Sequence, residues 1–121
     1  MTGLTRVPAW YMTLMNLFVL LSVVLSARAG DPPPRGATIY ASSCAACHGS
    51  KGNGKGPASI AMKPKPTDFT AAAWWEGKTD DAIAASIRAG RPGTAMSAFP
   101  KLTDEELTAV VSYLRTFEPK P

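Results

Sequence analysis

The chain has 121 residues, a formal net charge of +4 and 18% charged residues. This length allows one domain at most, and a domain so small has only a marginal apolar core of its own. The modest positive charge gives no indication of nucleic-acid binding.

The first 29 residues have the pattern of an export signal. Arg6 supplies a positive start, and an apolar run extends over residues 10–25. Ala27–Ala29 then gives the small-x-small pattern that signal peptidase recognises. We therefore expect an exported protein that works in the periplasm.

The alternative is an uncleaved membrane anchor over residues 10–27, which would hold the protein on the membrane, facing the periplasm. These 18 residues are at the lower limit for crossing a bilayer. Cleavage after Ala29 would leave a net charge of +2, because Arg6 and Arg28 would be lost. A Pro-rich lead-in over 30–35 would then precede one domain over 36–118.

A short helix is predicted over residues 35–46, and it leads into the sequence Cys44-Ala45-Ala46-Cys47-His48. Two thiols separated by two residues can each add to one vinyl group of the same porphyrin, and the next residue places an imidazole beneath the iron. The chain contains two cysteines and one histidine, all of them in this motif. The spacing predicts one covalently bound haem c on Cys44 and Cys47.

Other interpretations of the motif explain less of it. A thioredoxin-like Cys-x-x-Cys belongs to a βαβ pattern, which the sequence does not show. A structural zinc site needs four ligands, and the chain has no second Cys/His pair. A disulfide would close a very short loop and leave His48 without a role.

The segment that follows the motif is predicted to be irregular. Residues 49–57 alternate glycine with polar residues, and we expect these glycines to let the backbone approach a flat cofactor. Prolines within residues 62–69 exclude a helix there. A turn of helix is predicted over 71–75, where Trp74 and Trp75 would pack in the core or against the haem. The alternative for one of these indole N–H groups is a hydrogen bond to a haem propionate.

Two further helices have recognisable ends. Thr79 is a plausible N-cap for a helix that runs to Ala89, before a loop over 90–100. The last helix begins with a capping box, Thr103 with Glu106, and a hydrophobic staple, and its apolar face recurs at helical period until Pro119 stops it. No alternation with period two occurs in the sequence, so the prediction is a small all-α domain.

The sixth position of the iron has to be assigned, and a second histidine is excluded by composition. The candidates are a methionine, a lysine or an open position. Outside the export signal, the methionines are Met62 and Met96. Met96 is favoured because it lies in a loop between two helices, far enough along the chain to reach the opposite face of the ring. Methionine ligation also suits an electron-transfer haem.

Taken together, these residues resemble the class I c-type cytochromes, which are small monohaem electron carriers. The resemblance covers most of residues 36–117 and rests on the following features: Gly36 and Tyr40, the haem motif, the glycine-rich loop to Pro57, the segment Gly93-Thr94-Ala95-Met96, and the last helix with Val110, Tyr113 and Leu114. It implies three to five helices packed around one covalently bound haem.

The resemblance also implies roles for single residues. Cys44 and Cys47 would carry the haem, and His48 and Met96 would be the axial ligands of the iron. The backbone carbonyl of Pro57 would accept the Nδ1–H of the axial histidine. The family usually has proline after the ligand methionine, whereas this chain has Ser97, which is expected to loosen the ligand loop.

The function implied is one-electron transfer between redox proteins outside the cytoplasm, without catalysis by the chain itself. We expect a monomer unless it belongs to a complex. Alternatives are a dedicated haem subunit of a larger oxidoreductase or respiratory complex, and a peroxidatic or gas-binding haem protein. Four lysines in the loops flanking the motif could steer an acidic partner or be simply solvated: Lys51, Lys55, Lys63 and Lys65.

Overall fold

The computed structural model describes Pro8, Trp10 and residues 34–121. The chain divides into two compact units, Met1–Pro32 and Pro33–Pro121. The predicted export signal and its alternative, the membrane anchor, lie outside the described residues except at Pro8 and Trp10. Among the helices that can be described, none is both long enough and apolar enough to cross a membrane.

The second unit is built from helices, and residues 34–121 contain no strand. This confirms the prediction of an all-α domain. Five α-helices and one 3-10 helix follow one another in this part of the chain. They are α1 (Arg35–Ser43), α2 (Ala45–His48), the 3-10 helix (Pro57–Ala61), α3 (Ala72–Trp75), α4 (Asp80–Ala89) and α5 (Asp104–Arg115).

The predicted helix over residues 35–46 is interrupted in the haem motif. Cys44 has a φ of −121°, which ends α1, and α2 begins at the next residue. Gly49 ends α2 with a φ of +83°, a left-handed conformation that glycine adopts without steric cost.

The predicted helix starts are confirmed by their hydrogen bonds. The Thr79 hydroxyl oxygen accepts the N–H of Ala82 at 3.2 Å. Thr103 accepts the N–H of Glu106, and the Glu106 carboxylate accepts the N–H of Thr103 in return. These bonds satisfy N–H groups that a helix start leaves without an intrahelical partner.

The predicted end of the last helix is wrong by several residues. The helix α5 stops at Arg115, and the chain continues in a turn through Phe117 before Pro119 is reached. The Phe117 N–H donates to the Leu114 carbonyl at 3.0 Å, a tightened i→i−3 bond common at helix ends. The helical spacing of apolar residues thus continues to Phe117, beyond the end of the regular helix at Arg115.

The core forms where α1 crosses α5. A side chain at Gly36 would collide with the backbone carbonyl of Ala109, so only glycine allows this approach. Tyr40 packs beside Tyr113 and Phe117, with ring centroids 5.3 and 5.2 Å away. The buried apolar residues are Tyr40, Phe69, Trp75, Ile83, Ile87, Leu107, Val110, Val111 and Leu114.

Candidate haem site

A cavity of about 630 Å³ opens beside the haem motif. Its wall is mainly apolar, with Tyr40, Phe69, Trp74 and Phe99 among the aromatic residues that line it. It also brings together the side chains that the sequence singled out for haem binding. These are Cys44, Cys47, His48, Met62 and Met96.

His48 is half-buried at this cavity and is held on two sides. Its ring stacks on Phe69, with centroids 4.7 Å apart and an angle of 21° between the planes. Nδ1 lies 3.1 Å from the backbone carbonyl oxygen of Thr67. A carbonyl can only accept, so Nδ1 carries the proton and Nε2 keeps its lone pair. Burial lowers the pKa of His48, and this outweighs the opposite effect of the Thr67 bond.

The neutral imidazole is the form that ligates a metal, and its Nε2 is the nitrogen left to do so. The predicted partner of Nδ1 is wrong, because the carbonyl that faces His48 belongs to Thr67 and not to Pro57. Pro57 begins the 3-10 helix at the surface, where a carbonyl is directed along the helical turn. Residues 65–68 belong to no helix, which leaves the Thr67 carbonyl free to face the ring. Nothing in the sequence distinguishes that carbonyl from its neighbours.

Both cysteines are free thiols and half-buried at the cavity wall. The N–H of Cys47 donates to the carbonyl of Cys44 at 3.2 Å, so one turn of the backbone separates the two cysteines. Burial, and to a smaller extent the neighbouring Cys47, raises the pKa of the Cys44 thiol to about 11. Cys44 therefore presents a protonated thiol to the cavity, which Cys47 also lines.

The glycine-rich loop folds back onto the motif. The N–H of Gly54 donates to the carbonyl of His48 at 2.8 Å, and the N–H of Gly56 donates to that of Cys47 at 3.1 Å. A side chain at Gly56 would collide with the Ala46 carbonyl, and one at Gly54 would lie 2.6 Å from the Pro66 carbonyl. The glycines therefore permit approach of the chain to itself, which corrects the expectation that they face a flat cofactor.

The Met96 loop is closed by its own hydrogen bonds. The N–H of Arg91 donates to the Met96 carbonyl at 3.0 Å, and the N–H of Met96 donates to the Thr94 hydroxyl at 3.2 Å. That hydroxyl in turn donates to the Arg91 carbonyl at 2.7 Å. These bonds hold the backbone of Met96 where the family's proline is replaced by Ser97.

The two tryptophans have different surroundings. Trp75 is buried, and its indole N–H donates to the Phe69 carbonyl at 2.8 Å, which confirms the prediction of core packing. The same bond removes Trp75 as a donor to a propionate. Trp74 lines the cavity and meets the Trp75 ring edge-on at 4.6 Å.

These residues fit a haem with two thioether bonds. The cavity wall is apolar enough for a porphyrin, and one wall carries two thiols and an imidazole whose Nε2 is available. Two methionines, Met62 and Met96, also line the cavity. The donor set thus contains the soft sulfur and the nitrogen that haem iron accepts.

Comparisons with known proteins agree with this site. The family model described as cytochrome c matches residues 34–118. The chain is 34% identical over 89 residues to the Cbb3-type cytochrome c oxidase subunit FixP of Azorhizobium caulinodans, and the match covers 72% of this chain and 28% of that protein. The chain thus spans little more than a quarter of this curated relative.

Two solved structures share the fold. One belongs to the Kuenenia stuttgartiensis reducing HAO-like protein complex Kustc0457/Kustc0458, with a TM-score of 0.62, 32% identity, and coverage of 75% of this chain and 48% of that one. The other is the KustC0563 c-type cytochrome, with a TM-score of 0.58, 32% identity, and coverage of 69% and 98%. The match of the family model over residues 34–118, on a site built for covalent haem c, shows that this chain belongs to the cytochrome c family.

Proposed function

We propose that the protein is a one-electron carrier whose haem iron is ligated by His48 and Met96. The observation that carries this proposal is the shared cavity, which brings His48 and Met96 to the same space as the two cysteines. Haem c supplies a one-electron redox change when it is bound. The chain attaches it through Cys44 and Cys47, and supplies one nitrogen and one sulfur ligand.

Such a ligand pair leaves no open position on the iron. It also raises the potential relative to two nitrogen ligands, which favours reversible electron transfer over substrate chemistry. The Thr67 carbonyl fixes the tautomer of His48, and the closed loop fixes the backbone of Met96. The chain would then act without catalysis of its own, between a donor and an acceptor protein in the periplasm.

A second candidate is a haem subunit dedicated to one larger oxidoreductase. The similarity to an oxidase subunit and to a chain of a multi-protein complex favours it. The residues of the haem site would be the same in both cases. A stable complex after gentle purification would distinguish this candidate from a diffusing carrier.

The experiment is to purify the protein from its own exported compartment, and to record its mass, its visible spectrum and its response to carbon monoxide. We expect one covalent haem, the spectrum of a low-spin iron with sulfur ligation, and no carbon monoxide binding to the reduced protein at neutral pH. Rapid carbon monoxide binding would contradict the proposal and indicate a gas-binding or peroxidatic haem.

A further inference from the structure

The 3-10 helix Pro57–Ala61 presents an apolar side chain to solvent next to the haem cavity. Ile60 is 82% exposed, more than any other large hydrophobic residue in the described part of the chain. Its neighbours Ala58 and Ala61 are exposed as well. A single exposed apolar residue is common on protein surfaces and would need no explanation by itself.

A fixed positive charge lies beside this side chain. The Lys65 ammonium donates to the Ser59 carbonyl at 3.0 Å and to the Ile60 carbonyl at 2.9 Å. These bonds close the end of the 3-10 helix and hold the charge there, instead of leaving it on a freely rotating side chain. A preorganised charge costs less conformational entropy when a partner binds it.

The chain segment that contains Ile60 carries only positive charges. Residues 49–66 contain four lysines and no aspartate or glutamate. None of the four forms an ion pair with a carboxylate among the described residues, whereas three arginines elsewhere do so. Those arginines are Arg35, Arg88 and Arg115.

The same segment forms part of the cavity wall. The cavity is lined by Met62, Pro64, Lys65 and Pro66. Ile60 is therefore only two residues along the chain from a residue that lines the cavity. An apolar contact centre, surrounding lysines and a short path to the cofactor are the features that a transient redox interface combines.

We infer that Ile60, together with Lys63 and Lys65, forms a docking surface for a redox protein that offers an apolar contact ringed by carboxylates. We call these three residues the Ile60 patch. The inference rests on the proposed electron-transfer function and names the side of the molecule at which the partner binds. A symmetric contact with a second copy is disfavoured, because it would bring the lysines of both copies together.

The test measures how the reduced holoprotein is oxidised by the combined membrane and exported-protein fraction of the cells that produce it. The variants are Ile60→Ser, Ile60→Leu and Lys63→Glu, with Lys120→Glu as the control. Lys120 is exposed near the C-terminus and is not one of the three patch residues, so this control makes the same change in net charge at another surface position. KM, kcat and midpoint potential are measured for each variant at low and high salt.

We expect Ile60→Ser and Lys63→Glu each to raise KM about five-fold, with kcat and midpoint potential unchanged. Ile60→Leu should keep the wild-type KM, and Lys120→Glu should change it less than about two-fold. The effect of Lys63→Glu should shrink at high salt, because salt screens exposed charges.

Equal KM values in all variants, with normal wild-type turnover, would overturn the inference and leave the carrier function intact. Binding of the wild-type holoprotein to phosphatidylglycerol vesicles, lost in Ile60→Ser with KM unchanged, would overturn it in favour of a lipid-binding surface. Failure of the wild-type protein to be oxidised by the fraction would instead overturn the proposed function, and the inference with it.

Discussion

At the scale of single residues, Tyr40 links the packing of the helices to the haem motif. Its side chain is 1% exposed, and its hydroxyl donates to the Gly49 carbonyl at 2.7 Å. Gly49 follows His48 directly, so the bond restrains the end of the motif. Burial is the main cause of the raised pKa of Tyr40, and it keeps the hydroxyl protonated and able to donate.

Replacing Tyr40 with Phe should therefore destabilise the holoprotein by about 0.5–1.5 kcal/mol. The loss is limited because the Gly49 carbonyl keeps a second donor, the N–H of Gly52 at 3.0 Å. Urea unfolding of both holoproteins measures the difference. Tyr113→Phe is the control, since it removes a hydroxyl from a less buried ring that packs in the same cluster. Equal losses in the two variants would show that the Gly49 bond has no special role.

Residue chemistry explains which parts of the site could be predicted. Cys44, Cys47 and His48 are recognisable because their spacing in the chain is itself the chemical requirement. The Thr67 carbonyl could not be found, because every residue has a carbonyl and this contact spans 19 positions. The contact depends on how the irregular segment before Phe69 folds over the imidazole, which no local pattern encodes.

At the scale of elements, the crossing of α1 over α5 depends on the missing side chain of Gly36. Glycine inside a helix is unfavourable by about 1 kcal/mol relative to alanine. Here we expect alanine to be less favourable than glycine, because a Cβ at this position would collide with the Ala109 carbonyl and approach the Tyr113 Cβ to 3.1 Å. The helices would have to separate.

We expect Gly36→Ala to lower the free energy of unfolding by roughly 2 kcal/mol or more, measured by urea titration of the holoprotein. The control is Thr38→Ala in the same helix, where the side chain is exposed and the change should stay within about 0.5 kcal/mol. A stabilised Gly36→Ala variant would mean that helix propensity outweighs the crossing and that the contact is looser than described.

The helix ends show the limit of local patterns in the same way. Thr79 and Thr103 could be identified as N-caps because a cap and its partner lie within three residues of each other. The interruption at Cys44 and the early end at Arg115 were not predicted, since both depend on how α1, α2 and α5 meet in three dimensions.

At the scale of the whole domain, the core and the haem cavity share their side chains. Of the nine buried apolar residues, six also line the cavity. They are Tyr40, Phe69, Ile83, Ile87, Val110 and Leu114. A domain of this size buries little apolar surface without a cofactor, so the haem would complete the core as well as carry the electron.

The form without haem, made as the Cys44→Ser/Cys47→Ser double variant, should therefore lack fixed tertiary packing. We expect a weak near-ultraviolet circular dichroism signal, residual helix and no cooperative unfolding transition. The wild-type holoprotein, prepared in the same way, is the comparison. If both proteins unfolded cooperatively at the same urea concentration, the claim that the haem completes the core would be contradicted.

The central claim, that Met96 is the sixth ligand of an electron-transfer haem, is tested most directly by the midpoint potential of Met96→Ala beside that of Met62→Ala. Both methionines line the cavity, so the two variants are a matched pair. We predict that Met96→Ala loses the sulfur-ligated spectrum and that its potential falls by roughly 100 mV or more, while Met62→Ala keeps both. An unchanged spectrum and potential in Met96→Ala would contradict the assignment of Met96 as the sixth ligand.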